Sequence, residues 1–308
     1  MPMIVPNRDL RLALLAALAL TTVSGACSPH RGARTDDEGV QSRPTFPPRV
    51  LITNDNGIDD PKLVALARAF AERAETWVVA PDGDRSGGGA HLTIIRTGSL
   101  AVEERQLGAG IRAYAVDGYP ADAVLVAVLG LMRGTPPDLV VSGINGGPNL
   151  GGEWMHSGTV GAARIAALGG IPAIAVSGLL RDELPGAMET AADWVVRLAG
   201  SDAVAALRPG DYLTVSLPPD APEGVRGVRI TERAGLPAVP RLSPGDDGTW
   251  RVVGVDSSSA PVPAGSDVAA WLEGYIAVVP MSVDEVDRPR LEAWSESPPG
   301  LPRWSSTP

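Results

Sequence analysis

The sequence predicts an α/β fold: a doubly wound, mainly parallel sheet followed by a smaller β-rich C-terminal region. Short apolar runs rich in β-branched residues alternate with helix-period segments from Val50 onward, the signature of strands joined by crossover helices. The polar loops after these runs are rich in Asn, Asp, Ser and Gly, as expected where an open sheet presents ligands at its carboxyl edge. With 308 residues, 44% of them apolar, the chain can form one large unit of this kind, and Gly 36 and Pro 29 suit many tight strand–helix turns.

The first element is RVLITNDNGIDDP, from Arg49 to Pro61. Val50 to Thr53 is too short for a helix and reads as a buried strand. Asn54, Asp55, Asn56 and Gly57 favour a sharp turn, and Asp60 and Pro61 suit a helix N-cap and first helical position. Leu63, Leu66, Ala67 and Phe70 then follow at helical spacing, with Lys62, Arg68 and Arg73 expected outside. Trp77 to Ala80 is the second strand and ends in PDGDRSGGGAHLT; Ile111 to Val116 is the third, before a helix from about Pro120 to Met132. Asp138 to Ser142 is a strand ending in GINGGPNLGG, and Ser157-Gly158-Thr159 starts a helix to about Leu168. Pro172 to Ser177 is the next strand, and Ala187 to Leu198 an amphipathic helix with Trp194 and Leu198 on its apolar side. Beyond Tyr212 the runs YLTVSL, GVRIT, TWRVVG and GYIAVVP shorten, which suggests a smaller β-rich C-terminal region or arm. The tail after about Asp287 is rich in Pro and Ser and reads as irregular.

The N-terminus is a different kind of segment. Arg8 and Arg11 precede an apolar run from Leu12 to Leu20, too short to span a bilayer, and small residues lead to Cys27. This is the pattern of an export signal over residues 1–26, resembling a bacterial lipoprotein signal in which Cys27 becomes lipid-bearing; plain secretion with cleavage after Ala26 is the other reading. A lone cysteine excludes an intramolecular disulfide. Residues 27–48 read as a solvated tether, 49–290 as the folded unit and 291–308 as the tail. The expected location is therefore outside the cytoplasm, with membrane attachment only through the lipid.

The formal charge of −10 argues against binding long nucleic acid, which requires basic patches to neutralise phosphates. A small phosphorylated substrate remains compatible, above all with a cation between. Three polar loops fall at equivalent places in the sheet: Asp55 after the first strand, Ser86 after the second, Asn145 after DLVVS. Carboxylate, hydroxyl and amide oxygens are hard ligands suited to Mg²⁺, Mn²⁺ or Ca²⁺. Ser157-Gly158-Thr159 adds a helix N-terminus and two hydroxyls, an anion seat. A hard cation beside an anion seat suits phosphoryl hydrolysis. The glycine loops are not Walker A loops, since no Gly-Lys-Ser/Thr follows. Alone, Asp55 is equally readable as a residue that only caps backbone amides.

In this order, NDNGID, APDGDRSGGG, GYPADAV, PDLVVSGINGGPNLG and HSGTVGAA resemble the survival protein SurE family of metal-dependent nucleotidases. The similarity is close from about Val50 to Ser177 and weaker through Gly265–Pro280. It implies a Rossmann-like sheet and hydrolysis of nucleoside 5′- and 3′-monophosphates. It also implies one divalent cation per subunit, Mg²⁺ or Mn²⁺, and a homodimer or homotetramer that exchanges C-terminal elements. By position it implies Asp55, Asn56, Ser86 and Asn145 as metal ligands, with Asp55 and Asn56 catalytic. Asn149 and Ser157, Gly158 and Thr159 would line the phosphate pocket, with His156 beside them.

Three departures from the family pattern stand out. Asn56 takes the place of a second aspartate, Gly152 that of an acidic residue before Glu153, and His156 that of a tyrosine. His156 either meets phosphate oxygens or inherits a packing role, and Trp154 either stacks on a base or forms a pocket wall or interface. His30 and His91 read as tether and loop residues, Asp59 and Asp60 as capping charges, and Asp122 as support for the site. The competing function is a lipid-anchored nucleotide- or phosphate-binding protein that has lost turnover through Asn56.

Overall fold

The computed structural model describes residues 46–235, 239–245, 247–256 and 261–297. The export-signal segment, Cys27, His30 and most of the tether lie outside them. Strand β1 (Arg49–Thr53) lies near the middle of a nine-stranded sheet, hydrogen-bonded in parallel to β2 (Glu75–Pro81) on one side and β5 (Leu139–Asn145) on the other. Outward from β2 come β4 (Ile111–Val116) and the antiparallel edge strand β3 (Val102–Arg105). Outward from β5 come β6 (Ala173–Ser177) and β7 (Asp211–Ser216), both parallel. The strand order reverses at β1, so the loops after β2, β1 and β5 leave the sheet side by side.

Helices cover both faces. α1 (Pro61–Ala71) and α5 (Ala187–Ala199) pack Leu63, Leu66, Phe70, Val195 and Val196 on one face, against Ile52, Val78 and Val141. On the other face lie α3 (Pro120–Val126), which continues as a π-turn over Ala127–Leu131, and α4 (Gly158–Leu168). The buried side of α4 is largely Ala162, Ala163, Ala166 and Ala167, small residues that seat it close above β5 and β6, over Val140, Ala173 and Ala175. A short helix, α2 (Thr93–Thr97), precedes β3, and a four-residue helix, α6 (Asp202–Ala205), precedes β7.

Several elements depart from expectation. Three of the C-terminal β runs extend the main sheet: β7 is buried along most of its length, β11 (Tyr275–Ser282) pairs antiparallel to it, and β8 (Gly227–Ile230) pairs with β11. Only β9 (Val239–Pro244) and β10 (Trp250–Asp256) form a separate antiparallel ribbon. Local periodicity marks a strand but does not name its partner. β3 was not expected because its sequence, VEER, is charged and exposed, a composition that suits an edge strand. After α7 (Asp267–Leu272), the segment Arg288–Glu296 is a helix, α8, capped by Asp287, where an irregular tail is expected from its Pro and Ser content.

Lys62, expected on the outer face of α1, is 8% exposed. Asp60 caps the helix through Oδ1, accepting from the Lys62 and Leu63 amides, while its Oδ2 lies 3.2 Å from Lys62 Nζ. Asp182 takes the same ammonium at 2.8 Å. Burial lowers the Lys62 pKa, but the bond to Asp182 and the charge of Asp60 outweigh it, and the net shift is upward from 10.5. A folded-state value above the unfolded one means a contribution fully present below 10.5 and lost as pH rises through the folded value. Lys62→Met is expected to lower stability by about 1–2 kcal/mol at neutral pH. In denaturant titrations the gap to wild type should close above pH 10.5; a pH-independent gap would show that packing of the stem, not the ion pairs, sets it.

Candidate functional site

The turn after β1 is built by Asn54, whose side chain accepts from the Gly57 amide and donates to the Gly57 carbonyl. Gly57 has φ 107°, a left-handed conformation open to glycine, and a Cβ there would meet the Gly83 backbone at 3.0 Å. This holds Asp55 inward at 3% exposure. Its main-chain carbonyl accepts from the Arg85 amide at 2.7 Å, which fastens the loop after β2 to the loop after β1. Gly89 in turn donates its amide to the His156 carbonyl at 2.9 Å, fastening the loop after β2 to the segment entering α4.

Both Asp55 carboxylate oxygens face the start of α4. Oδ2 accepts from the Thr159 amide at 3.1 Å and Oδ1 from the Thr159 hydroxyl at 2.8 Å. Burial nevertheless pushes the carboxyl above its ordinary 3.8, against the lowering effect of those two bonds, and the nearby Asp84 carboxylate adds to the rise. The negative charge is therefore undercompensated. Asp84 itself is held below its usual value by the hydroxyl and amide of Ser86, at 2.6 and 2.9 Å. That bond directs the Ser86 proton to Asp84 and leaves the hydroxyl lone pairs free. Asn145 donates Nδ2 to the Gly147 carbonyl at 2.8 Å, and no described residue donates to its Oδ1. The Asn56 Oδ1 is buried without a partner.

Asp55, Ser86, Asn145, Asn149, His156 and Ser157 line one crevice of about 210 Å³, with Gly87 and Glu153 completing its wall. Asn149 donates its amide to Ser177 Oγ at 3.2 Å, yet its side-chain Nδ2 is buried with no acceptor. Ser157 caps α4 by accepting from the Val160 amide, so its own hydroxyl proton is free to donate. Two larger grooves of about 460 Å³ lie elsewhere, one between α1 and α5, the other around Pro48, Pro137 and Pro172 at the amino end of the sheet.

Oxygen donors beside an undercompensated carboxylate fit a hard divalent cation. The orphaned Asn56 acceptor fits the same demand. Among the described residues no group of three or more His, Cys, Asp or Glu side chains could hold a metal ion, so a zinc-type cluster is absent there.

The structure thus gathers Asp55, Ser86, Asn145, Asn149, His156 and Ser157 around one crevice, whereas Asn56, next to Asp55 in sequence, is not among the residues lining it. Thr159 is committed differently from the sequence expectation, because its amide and hydroxyl both serve Asp55 and neither is left for an anion. Gly158 packs against Asp55. His156 is exposed at the rim, its Nδ1 2.9 Å from the Glu153 carbonyl. His91 stacks edge-on to Tyr119 at 4.6 Å, outside the crevice. Asp122 is fully buried and receives the amides of Thr93, Ile94 and Tyr119, which makes it a cap for two chain corners. Trp154 has Arg164 and Arg233 over its ring at 4.8 and 5.5 Å. Sequence reasoning missed Asp84 and Ser177; for Asp84 the Asp-x-Ser spacing was the available signal.

The family model described as survival protein SurE matches residues 50–236. The 5′-nucleotidase SurE of Pseudomonas entomophila is 35% identical over 256 residues, covering 80% of this chain and 98% of that protein. The 5′-nucleotidase SurE 1 of Thermus thermophilus is 38% identical over 248 residues, covering 80% and 96%. The 5′/3′-nucleotidase SurE of Cronobacter sakazakii is 37% identical over 247 residues, covering 77% and 90%. Among solved structures, the SurE protein from Aquifex aeolicus aligns with a TM-score of 0.68 at 29% identity, over 80% of this chain and 98% of that one.

Proposed function

The chain belongs to the survival protein SurE family, and from that premise we propose that it hydrolyses nucleoside 5′- and 3′-monophosphates with the help of one divalent cation. One observation carries this reading: a single crevice joins a buried, undercompensated carboxylate to a buried amide donor, Asn149 Nδ2, that has no acceptor. A cation satisfies the first and a phosphate the second. Asp55, Asn56, Ser86 and Asn145 are the residues that would hold the cation, Mg²⁺ or Mn²⁺. When bound, such an ion screens phosphate charge and makes water a better nucleophile near neutral pH.

The protein's own groups do the rest. Thr159 locks the Asp55 carboxylate so that both oxygens stay in place. Ser157 and Asn149 donate to phosphate oxygens, with the start of α4 favouring the charge that develops on them. At about 210 Å³ the crevice is smaller than the ~300–1,000 Å³ typical of small-molecule clefts, so it holds the phosphoryl group and leaves the nucleoside at the mouth. His156 and Glu153 at the rim meet that outer part of the substrate. Base selection is then expected to be weak. Phosphate release from a nucleotide panel, with and without chelator, tests the reading. A protein that binds nucleotide without turning it over is the disfavoured alternative, since the Asp55 anchorage is intact.

Asn56 carries the one consequential change at the cation position. Asp55 with Asn56 offers one formal charge, and a carboxylate at Asn56 would add attraction of about 1 kcal/mol or more at contact distance. Asn56→Asp is expected to tighten Mg²⁺ about five- to tenfold, read by calorimetry and by the cation-induced rise in melting temperature. Coincident titrations of the two proteins would remove Asn56 from the ligand set.

Export and lipid anchoring at Cys27 belong to the same proposal, supported by the charged, apolar and small-residue order before it. Wild type is expected in the membrane fraction of its host and Cys27→Ser in the soluble one; equal partition would favour simple secretion. The exposed Leu242, Trp250 and Val252 of the β9–β10 ribbon support an oligomer, a homodimer or homotetramer, whose mass light scattering would read.

A further inference from the structure

We propose that Arg233 and Asp267, distant in sequence from every residue of the crevice, are positioning residues that set the phosphate-binding geometry of Asn149. The inference rests on the nucleotidase reading and extends it to residues outside the crevice. Arg233 lies in the segment after β8 and Asp267 in the first turn of α7. Their side chains are 12% and 2% exposed and approach to 3.6 Å. Arg233 Nη1 donates to the carbonyls of Asn149 and Gly151 at 3.0 and 3.1 Å, and its Nη2 donates to Thr214 Oγ1 on β7 at 2.8 Å. Asp267 Oδ2 accepts from the Gly151 amide at 2.8 Å, while its Oδ1 accepts from the amides of Ala234 and Val268 at 2.8 and 2.9 Å.

Between them the two side chains grip three main-chain groups of one short strap, Asn149 to Gly151. The strap needs the grip because Gly151 is left-handed at φ 52° and a Cβ there would meet the Gly235 carbonyl at 3.2 Å. The chain on both sides of residue 151 is thus clamped against the C-terminal segment. Ser177 holds the Asn149 amide from the opposite side. With its amide and carbonyl both bound, the Asn149 backbone is fixed at the point from which its side chain leaves, and Nδ2 is buried there without an acceptor. Arg233 also lies over the Trp154 ring, which places the next turn of the same segment. The ring is occupied by arginines from this chain, so Trp154 serves as a brace and not as a platform for a base.

The grip is charge-assisted and buried, and a lysine cannot reproduce a planar fork that serves two carbonyls and a hydroxyl. Arg233→Lys therefore keeps the buried positive charge while loosening Asn149. The expected result is about a tenfold weaker affinity for inorganic phosphate in saturating Mg²⁺, measured by calorimetry. A matching tenfold rise in KM for nucleoside monophosphate is expected, with kcat changed less than about threefold and Mg²⁺ affinity unchanged. A merely structural role would lower melting temperature and active fraction but leave phosphate affinity and KM alone. Removing one partner of a buried pair strands the other charge, so a second variant, Arg233→Met with Asp267→Leu, removes both; the same phosphate weakening is expected from it. Folded variants with wild-type phosphate affinity would overturn the inference. Wild type that binds phosphate but releases none from nucleotides would overturn the functional reading instead, and the phosphate titrations would still decide this one.

Discussion

Asp55→Ala is expected to lower phosphate release from nucleoside monophosphates by about three orders of magnitude, roughly 4 kcal/mol of barrier. No other carboxylate in the crevice is buried, and Asn145, Ser86 and Asn56 offer only neutral oxygens to a cation. Chelation of wild type should have the same effect and should be reversed by added Mg²⁺ or Mn²⁺. Stability should move the other way or hardly at all without cation. The substitution loses two bonds from Thr159, but it also removes a carboxylate whose charge the fold disfavours. Added cation should then raise the melting temperature of wild type and not of Asp55→Ala. Full activity in excess chelator, or an Asp55→Ala enzyme within a few-fold of wild type, would sink the assignment.

Gly158→Ala is expected to have the second-largest effect, and its sign is opposite to the one helix propensity suggests. Gly158 is the first residue of α4, where alanine would ordinarily gain up to about 1 kcal/mol over glycine. A Cβ there would lie 2.8 Å from Asp55 Cβ and 3.0 Å from Asp55 Oδ2. Asp55 must then shift, and the two oxygens held by Thr159 shift with it. A displacement of that kind in a positioned catalytic group lowers rate by about a hundredfold, and overpacking costs about 1–3 kcal/mol. Steady-state kinetics and a denaturant titration of Gly158→Ala check both. Activity near wild type with raised stability would show that the contact is relieved without moving Asp55. Gly161 poses the same problem one turn later, since a Cβ there would come within 2.3 Å of the Gly89 carbonyl. The glycines of HSGTVGAA are therefore spacers between α4 and the two loops that carry Asp55 and Ser86.

Read from left to right, the chain by itself determined a great deal. The run Val50–Thr53 before a polar turn marked β1, Asp60-Pro61 marked the start of α1, and Leu63, Leu66, Ala67 and Phe70 marked its buried stripe, because these signals are local. The ordered motifs also placed Asp55, Ser86 and Asn145 after the ends of three strands, and a parallel sheet brings such ends to one edge. What local signals could not decide is which atoms each group would face. Thr159 could have met a phosphate; only the meeting of the first turn of α4 with the turn after β1 commits its hydroxyl and amide to Asp55. Lys62 has the spacing of a solvent-facing residue, and Asp182, 120 positions away, joins its neighbour Asp60 in holding it inward. YLTVSL and GYIAVVP read as strands from composition, but their places beside β6 and β7 respectively depend on pairings that no periodicity encodes. Arg233 lies in none of the motifs and Asp267 only in the weakly similar Gly265–Pro280 segment, and neither shows its role there, because that role rests on main-chain contacts across 82 to 116 positions of sequence. Local preference decides the elements, whereas long-range packing decides the partners of each polar atom, and the chemistry of this site lies in those partners.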